Sequence, residues 1–150
     1  MPHLTFNLGP NLAPTGPVMN IFVGVSQPRA IALRGAGHPI PPPALIRGLI
    51  DTGASCTSVD LTILNQLGIP ISGTAPVHTP STQANQPHIA NLYDVSIVLT
   101  HPLITRTFNA VPVTESQINH QGIQALIGRD ILAWCLFSYD GSAGIFTLAF

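Results

Sequence analysis

The sequence contains no lysine and only one glutamate, and charged residues make up 7% of its 150 positions, against about 25% in an average globular domain. Five arginines are scattered singly from Arg29 to Arg129, and the formal net charge is -1. A nucleic-acid-binding surface needs clustered cations to neutralise phosphates, so nucleic acid is set aside as a partner. No apolar run approaches the roughly 20 residues that span a bilayer. The first 20 residues lack a basic start followed by a continuous apolar stretch, so no export signal is read. The expectation is a soluble cytoplasmic chain with no membrane partner. Two cysteines, Cys56 and Cys135, suggest neither a disulfide framework nor a zinc site and are expected as reduced thiols. The six histidines, from His3 to His120, have no close pairing and no cysteine at ligand spacing. Neither a metal nor a cofactor is called for.

What is present is turn chemistry. Fifteen prolines and thirteen glycines interrupt the chain so often that few windows of helical length survive, and the runs between them are β-branched or aromatic. This is the pattern of an all-β domain. At this length a single core buries roughly 70% of the unfolded chain's surface. With 45% apolar residues and few charges, the remaining surface is poorly defended and favours association with a further copy.

In chain order, Thr5 to Leu8 reads as a short strand, followed by a linker through Gly9, Pro10, Pro14, Gly16 and Pro17. Residues 1–17 are taken as this N-terminal strand and linker, and 18–150 as the domain proper. Val18 to Val25 and Ala30 to Arg34 read as hairpin arms around Gln27 and Pro28. Gly35 to Pro43, with three consecutive prolines, is a surface loop, and Leu45 to Ile50 is the next strand. Asp60 is placed to cap a short helix with Leu61, Leu64 and Leu67 on one face, ended by Gly68 and Pro70. Ser72 to Gln86 is too polar to supply a core and should project. His88 to Thr100, Arg106 to Val113 and Ala125 to Ile127 read as strands, and Arg129 to Trp134 as a helix. Cys135 to Tyr139 and Ile145 to Phe150 flank Asp140, Gly141 and Gly144 and form a terminal hairpin. Its apolar last strand needs a cover for its edge.

The stretch Gly48 to Thr57 strands a carboxylate, Asp51, between the apolar Leu49 and Ile50 and the glycine Gly53. Backbone N–H groups aimed inward by a tight turn make such a carboxylate tolerable. Alone, Asp-Thr-Gly is a common Asx turn. Its context is not common. Leu49 to Ser55 resembles the active-site signature of aspartic proteases, and about 75 residues later Ala125 to Asp130 resembles the second signature of retropepsins, an apolar strand ending in Gly128 and opening a helix with Arg129 and Asp130. The projecting Ser72 to Gln86 lies where that family carries its flap, and Leu92-Tyr93-Asp94 resembles the strand descending from it.

The resemblance implies a closed, barrel-like retropepsin fold with a flap and one or two short helices. It further implies an aspartic endopeptidase acting on an extended polypeptide. Since the chain has one Asp-Thr-Gly where two-lobed pepsin-like enzymes have two, the carboxylate pair would form across a homodimer axis. The dimer is expected through the active-site loops and the C-terminal strands, with Ile145, Phe146, Leu148 and Phe150 buried in it. Two carboxylates about 3 Å apart repel by about 5 kcal/mol at an effective dielectric of about 20, so the pair keeps one proton. By resemblance, Asp51, Thr52 and Gly53 carry the catalysis, with Thr52 locking the two loops across the axis. Gly53, Ala54, Ser55 and the flap residues Thr79, Pro80, Ser81, Thr82 and Gln83 contact substrate, while Ile127, Gly128, Arg129 and Asp130 support the site.

Three departures qualify this. Ser55 stands where many viral enzymes carry the aspartate that pairs with the arginine matching Arg129, which must therefore find another partner. The flap lacks a glycine-rich tip. Ala54 in place of serine implies a weakly acidic optimum. These features resemble cellular and bacterial retropepsin-like proteins more than viral ones. The rival reading is a non-catalytic peptide-binding or dimerisation module on the same fold. A serine hydrolase fails because Gly53 to Thr57 lacks the closing glycine of a nucleophile elbow. A cysteine nucleophile at Cys56 has no identifiable base, and a small buried side chain is expected there.

Overall fold

The computed structural model describes residues 1–78 and 86–150. Strands dominate, in the order β1 (His3–Asn7), α1 (Leu12–Thr15), β2 (Val18–Val25), α2 (Gln27–Gly35), β3 (Ala44–Ile50), β4 (Ser58–Asp60), α3 (Leu61–Gln66), β5 (Ile71–Val77), β6 (His88–Thr100), β7 (Thr105–Ser116), β8 (Ala125–Ile127), α4 (Arg129–Leu132), β9 (Leu136–Asp140) and β10 (Ile145–Ala149). No helix among the described residues is long and apolar enough to cross a membrane.

Six strands close a barrel. They run β2-β3-β8-β4-β7-β6, and the pairing of β6 with β2 shuts the ring, leaving β5 attached to β6 alone. Alternation explains which face turns inward. On β3, Ala44, Ile46, Gly48 and Ile50 are buried while Leu45 and Arg47 are exposed. A Cβ at Gly48 would lie 2.9 Å from Cδ1 of Ile127, so a larger residue there would have to displace that side chain. Val95, Ile97 and Leu99 of β6 meet Ile21 and Val23 of β2 in the same core, all fully buried.

The strand β6 changes partner along one edge. His88 to Tyr93 pair with β5, whereas Val95 to Val98 pair with β2. No residue of β5 is buried, consistent with the expected projection of this polar stretch. Tyr93, at the changeover, is buried and donates its hydroxyl to Oε2 of Glu115 at 2.8 Å; Asn91 donates to Oε1 at 3.0 Å. Burial, and then the Glu115 carboxylate, push the Tyr93 phenol above its ordinary range.

The terminal hairpin forms as expected, β9 pairing with β10. The N-terminal strand covers the other edge of β10, so the three-stranded sheet runs β1-β10-β9. Stacking of Phe6 on Phe146 at 4.6 Å fastens this sheet, and the N–H groups of Leu8 and Gly9 both donate to the Gly144 carbonyl. Phe146, Leu148 and Phe150 are buried within the single chain. Within the chain these side chains belong to the same core cluster as the barrel residues.

One element differs outright. Gln27 to Gly35 is a helix, the longest among the described residues, not the second arm of a hairpin. Ser26 takes the extended N-cap conformation and Pro28 falls in the first turn, where a missing N–H costs nothing, and Arg29 to Leu33 are mostly good helix formers. By contrast α4 is a single turn where the sequence suggested the main helix. The Asp60 cap is as anticipated: its Oδ1 accepts from the Thr62 N–H at 2.9 Å, and Gly68 ends the segment at φ +61°.

Candidate active site

The parallel strands β3 and β8 lie side by side, with Ile50 opposite Ile127, and both end at the same mouth of the barrel. The chain leaves β3 through Asp51, whose N–H donates to the Ile127 carbonyl at 3.0 Å. A tight loop follows. The Ala54 N–H donates to the Asp51 carbonyl at 3.2 Å, and the Gly53 N–H donates to Oδ1 of Asp51 at 2.9 Å. The Asp51 carboxylate is half-buried and accepts this one hydrogen bond among the described residues.

The loop is fastened from β8 and α4. The guanidinium of Arg129 donates through Nη1 to the carbonyls of Thr52 at 2.8 Å and Gly53 at 3.2 Å, and its backbone N–H donates to the Ala54 carbonyl at 3.0 Å. This is the alternative partner that Ser55 made necessary. Two backbone carbonyls do the work of a carboxylate, and no sequence pattern signals carbonyls.

Beneath the loop, Thr57 is fully buried, and its hydroxyl donates to Oδ1 of Asp130 at 2.8 Å while accepting from the Gly128 N–H at 3.0 Å. The Thr57 N–H donates to Oδ2 of Asp130 at 2.9 Å, and the Ile131 N–H donates to Oδ1 at 2.9 Å. Gly128 packs so closely on the Cys56–Thr57 peptide that a Cβ would sit 2.5 Å from the Cys56 carbonyl carbon. Sequence reasoning missed Thr57, whose role depends on a contact 73 residues away. The available signal was a threonine just before the short strand Ser58–Asp60, which β propensity explains equally well.

No family model matches the sequence, and no curated protein matches it. Among solved structures, the crystal structure of a retropepsin-like aspartic protease from Rickettsia conorii matches at a TM-score of 0.53 and 14% identity, covering 98% of this chain and 90% of that one. The chain has the retropepsin-like fold. The retroviral protease-like domain of Ddi1 from Leishmania major matches more weakly, at a TM-score of 0.41 and 12% identity, over 82% of this chain and 81% of that one.

In this retropepsin-like chain, Asp51, Thr52, Gly53, Ala54, Ile127, Gly128, Arg129 and Asp130 come together around one loop pair. Ser55 is exposed, as are Thr52 and Gly53 at the tip. Thr79, Pro80, Ser81, Thr82 and Gln83 lie outside the described residues. Cys56 and Cys135 are free thiols, and Cys56 is half-buried instead of enclosed. Burial raises the Cys135 thiol pKa, with Arg106 opposing. No group of side chains suited to hold a metal occurs among the described residues.

Proposed function

We propose that the chain is an aspartic endopeptidase that works as a homodimer, each copy supplying one Asp51. The observation that carries this reading is the contrast within the loop: its carbonyls are tied down by Arg129, while the Asp51 carboxylate keeps most of its acceptor capacity free. Rigid support around an underused carboxylate is the arrangement general acid–base chemistry requires.

In the proposed dimer the two carboxylates share a proton and titrate as a unit. The ionised one takes a proton from a water, which attacks the scissile carbonyl. The protonated one hydrogen-bonds the developing oxyanion. Collapse of the tetrahedral intermediate returns a proton to the leaving amine. Thr52, exposed at the tip, is positioned to meet its counterpart across the axis. The Gly53 carbonyl retains a lone pair for the substrate backbone. The dimer contacts would be the active-site loops and the open edges of the terminal sheet.

The test is to mix wild type with Asp51→Asn at fixed total concentration and follow cleavage of a peptide library, with a statine-type inhibitor as control. Activity that falls with the square of the wild-type fraction is the expected result. A linear fall would place the whole site in one chain, and equal cleavage by pure Asp51→Asn would leave the fold as a binding module.

A further inference from the structure

A cavity of about 480 Å³, not lined by Asp51, falls within the roughly 300–1,000 Å³ range of ligand pockets. One wall is the run Arg106 to Pro112 of β7. Ile131 and Trp134 form the other, with Cys56 and Asp130 between them. Seven consecutive residues lining one wall is informative. A strand that turns a face to a cavity contributes alternate residues, because successive side chains point to opposite sides. An unbroken run means that the edge of β7 faces the cavity.

That edge is open. On one side β7 pairs with β6; on the other it pairs with β4 only from Thr114 to Ser116, so Thr105 to Val113 has no second partner among the described residues. An open edge is a template for another strand. Its length is restricted: the β6–β7 ladder shifts register between the Val95–Val111 and Ile97–Phe108 pairs, and Pro112 lacks an N–H. What remains is the segment Thr105 to Phe108, of which Arg106 to Phe108 line the cavity.

The chemistry of the cavity selects its occupant. Arg106 lies 5.4 Å from the Phe108 ring centroid and 5.6 Å from that of Trp134, which orients the guanidinium by cation–π attraction. Arg106 is the single cation in the lining. The single carboxylate, Asp130, spends its acceptors on Thr57 and Ile131. Trp134 is 60% exposed, an apolar surface beside an unneutralised cation. We propose that this groove docks an extended polypeptide segment with an acidic side chain. The segment would add as a short strand to Thr105–Phe108, with its carboxylate on Arg106. This inference stands independently of the chemistry assigned to Asp51.

Trp134 is the only tryptophan, so its emission reports occupancy directly. The probe is a capped heptapeptide alternating valine and threonine with a central glutamate, titrated into Asp51→Asn protein to prevent its cleavage. A saturable Trp134 shift is expected. Binding should weaken at least about tenfold for Arg106→Gln, for the lysine analogue of the peptide, and for an analogue N-methylated at alternate amides, each tenfold corresponding to about 1.4 kcal/mol. Circular dichroism of Arg106→Gln establishes that it is folded. Absence of a saturable shift overturns the proposal. So does equal binding of all three peptides, which would mark a merely sticky surface. A Trp134 shift that tracks protein concentration without peptide, with a dimer seen by sedimentation, would overturn it by making a second copy the occupant.

Discussion

Asp51 and Asp60 stand nine residues apart, each at the end of a strand that helps close the barrel, yet their surroundings are opposite. Asp60 is 2% exposed, and its carboxylate accepts four hydrogen bonds: Thr62 N–H and hydroxyl on Oδ1, Ile118 and Asn119 N–H on Oδ2. Asp51 is half-buried and accepts one among the described residues. Burial alone would raise the Asp60 carboxyl, but the hydrogen bonds from Thr62, Asn119 and Ile118 together outweigh it and hold the group below its ordinary range. The comparison separates two uses of the same side chain. A carboxylate whose acceptors are all occupied braces the chain, and one held rigidly with acceptors to spare is available for chemistry.

Exchanging carboxylate for amide at each position should split activity from stability. Asp51→Asn is expected to lower peptide cleavage by about a thousandfold or more, within the range general acid–base groups contribute, while its urea midpoint stays close to wild type. Asp60→Asn is expected to do the reverse. An amide nitrogen cannot accept from Ile118 and Asn119, and stranding these part-buried donors should cost about 2 kcal/mol in urea unfolding, with cleavage per folded molecule retained. If both variants lost stability alike, the contrast between bracing and available carboxylates would not hold.

The acid limb of stability sharpens the same point. Because the folded Asp60 carboxyl lies below its unfolded value of 3.8, its contribution is complete well above that pH. It declines as pH falls below 3.8, where the unfolded chain takes up the proton first, and is lost once the folded group is protonated. Asp60→Asn should therefore show a flatter loss of stability on acidification than wild type, measured by urea midpoints across that window. The smallest effect concerns the support of Asp51. Arg129→Gln removes two hydrogen bonds to loop carbonyls at an exposed side chain. It should reduce kcat about tenfold through loosened positioning, with KM and the melting temperature little changed.

Much of this was legible because it was local. Leu45 to Ile50, Ala125 to Ile127 and the hairpin around Asp140 announced themselves through alternation and turn residues. Asp51 was legible because a carboxylate in an apolar run is out of place. The helix Gln27–Gly35 was misread since proline serves a turn and a first helical turn equally well, and the chain around it decides between them. The Arg129 partners and the Thr57–Asp130 bonds could not be read, because carbonyls are in every residue and a pairing across 73 positions leaves no mark on either segment. Nor did composition reveal that β1 would cover β10.

The change of partner along β6 has a kinetic consequence. Among the described residues, His88 to Asn91 pair with β5 alone, and β5 has no other partner; an isolated two-stranded unit is marginal in water. From Val95 to Val98 the same strand lies between β2 and β7, and Val95, Ile97 and Leu99 are wholly buried. Amide hydrogens at Ile89 to Asn91 should exchange with solvent through a low-energy local opening, while those at Val95 to Val98 wait for the whole barrel to unfold. One covalent strand of thirteen residues thus belongs to two cooperative units, and the arm it shares with β5 can lift without loosening the ring.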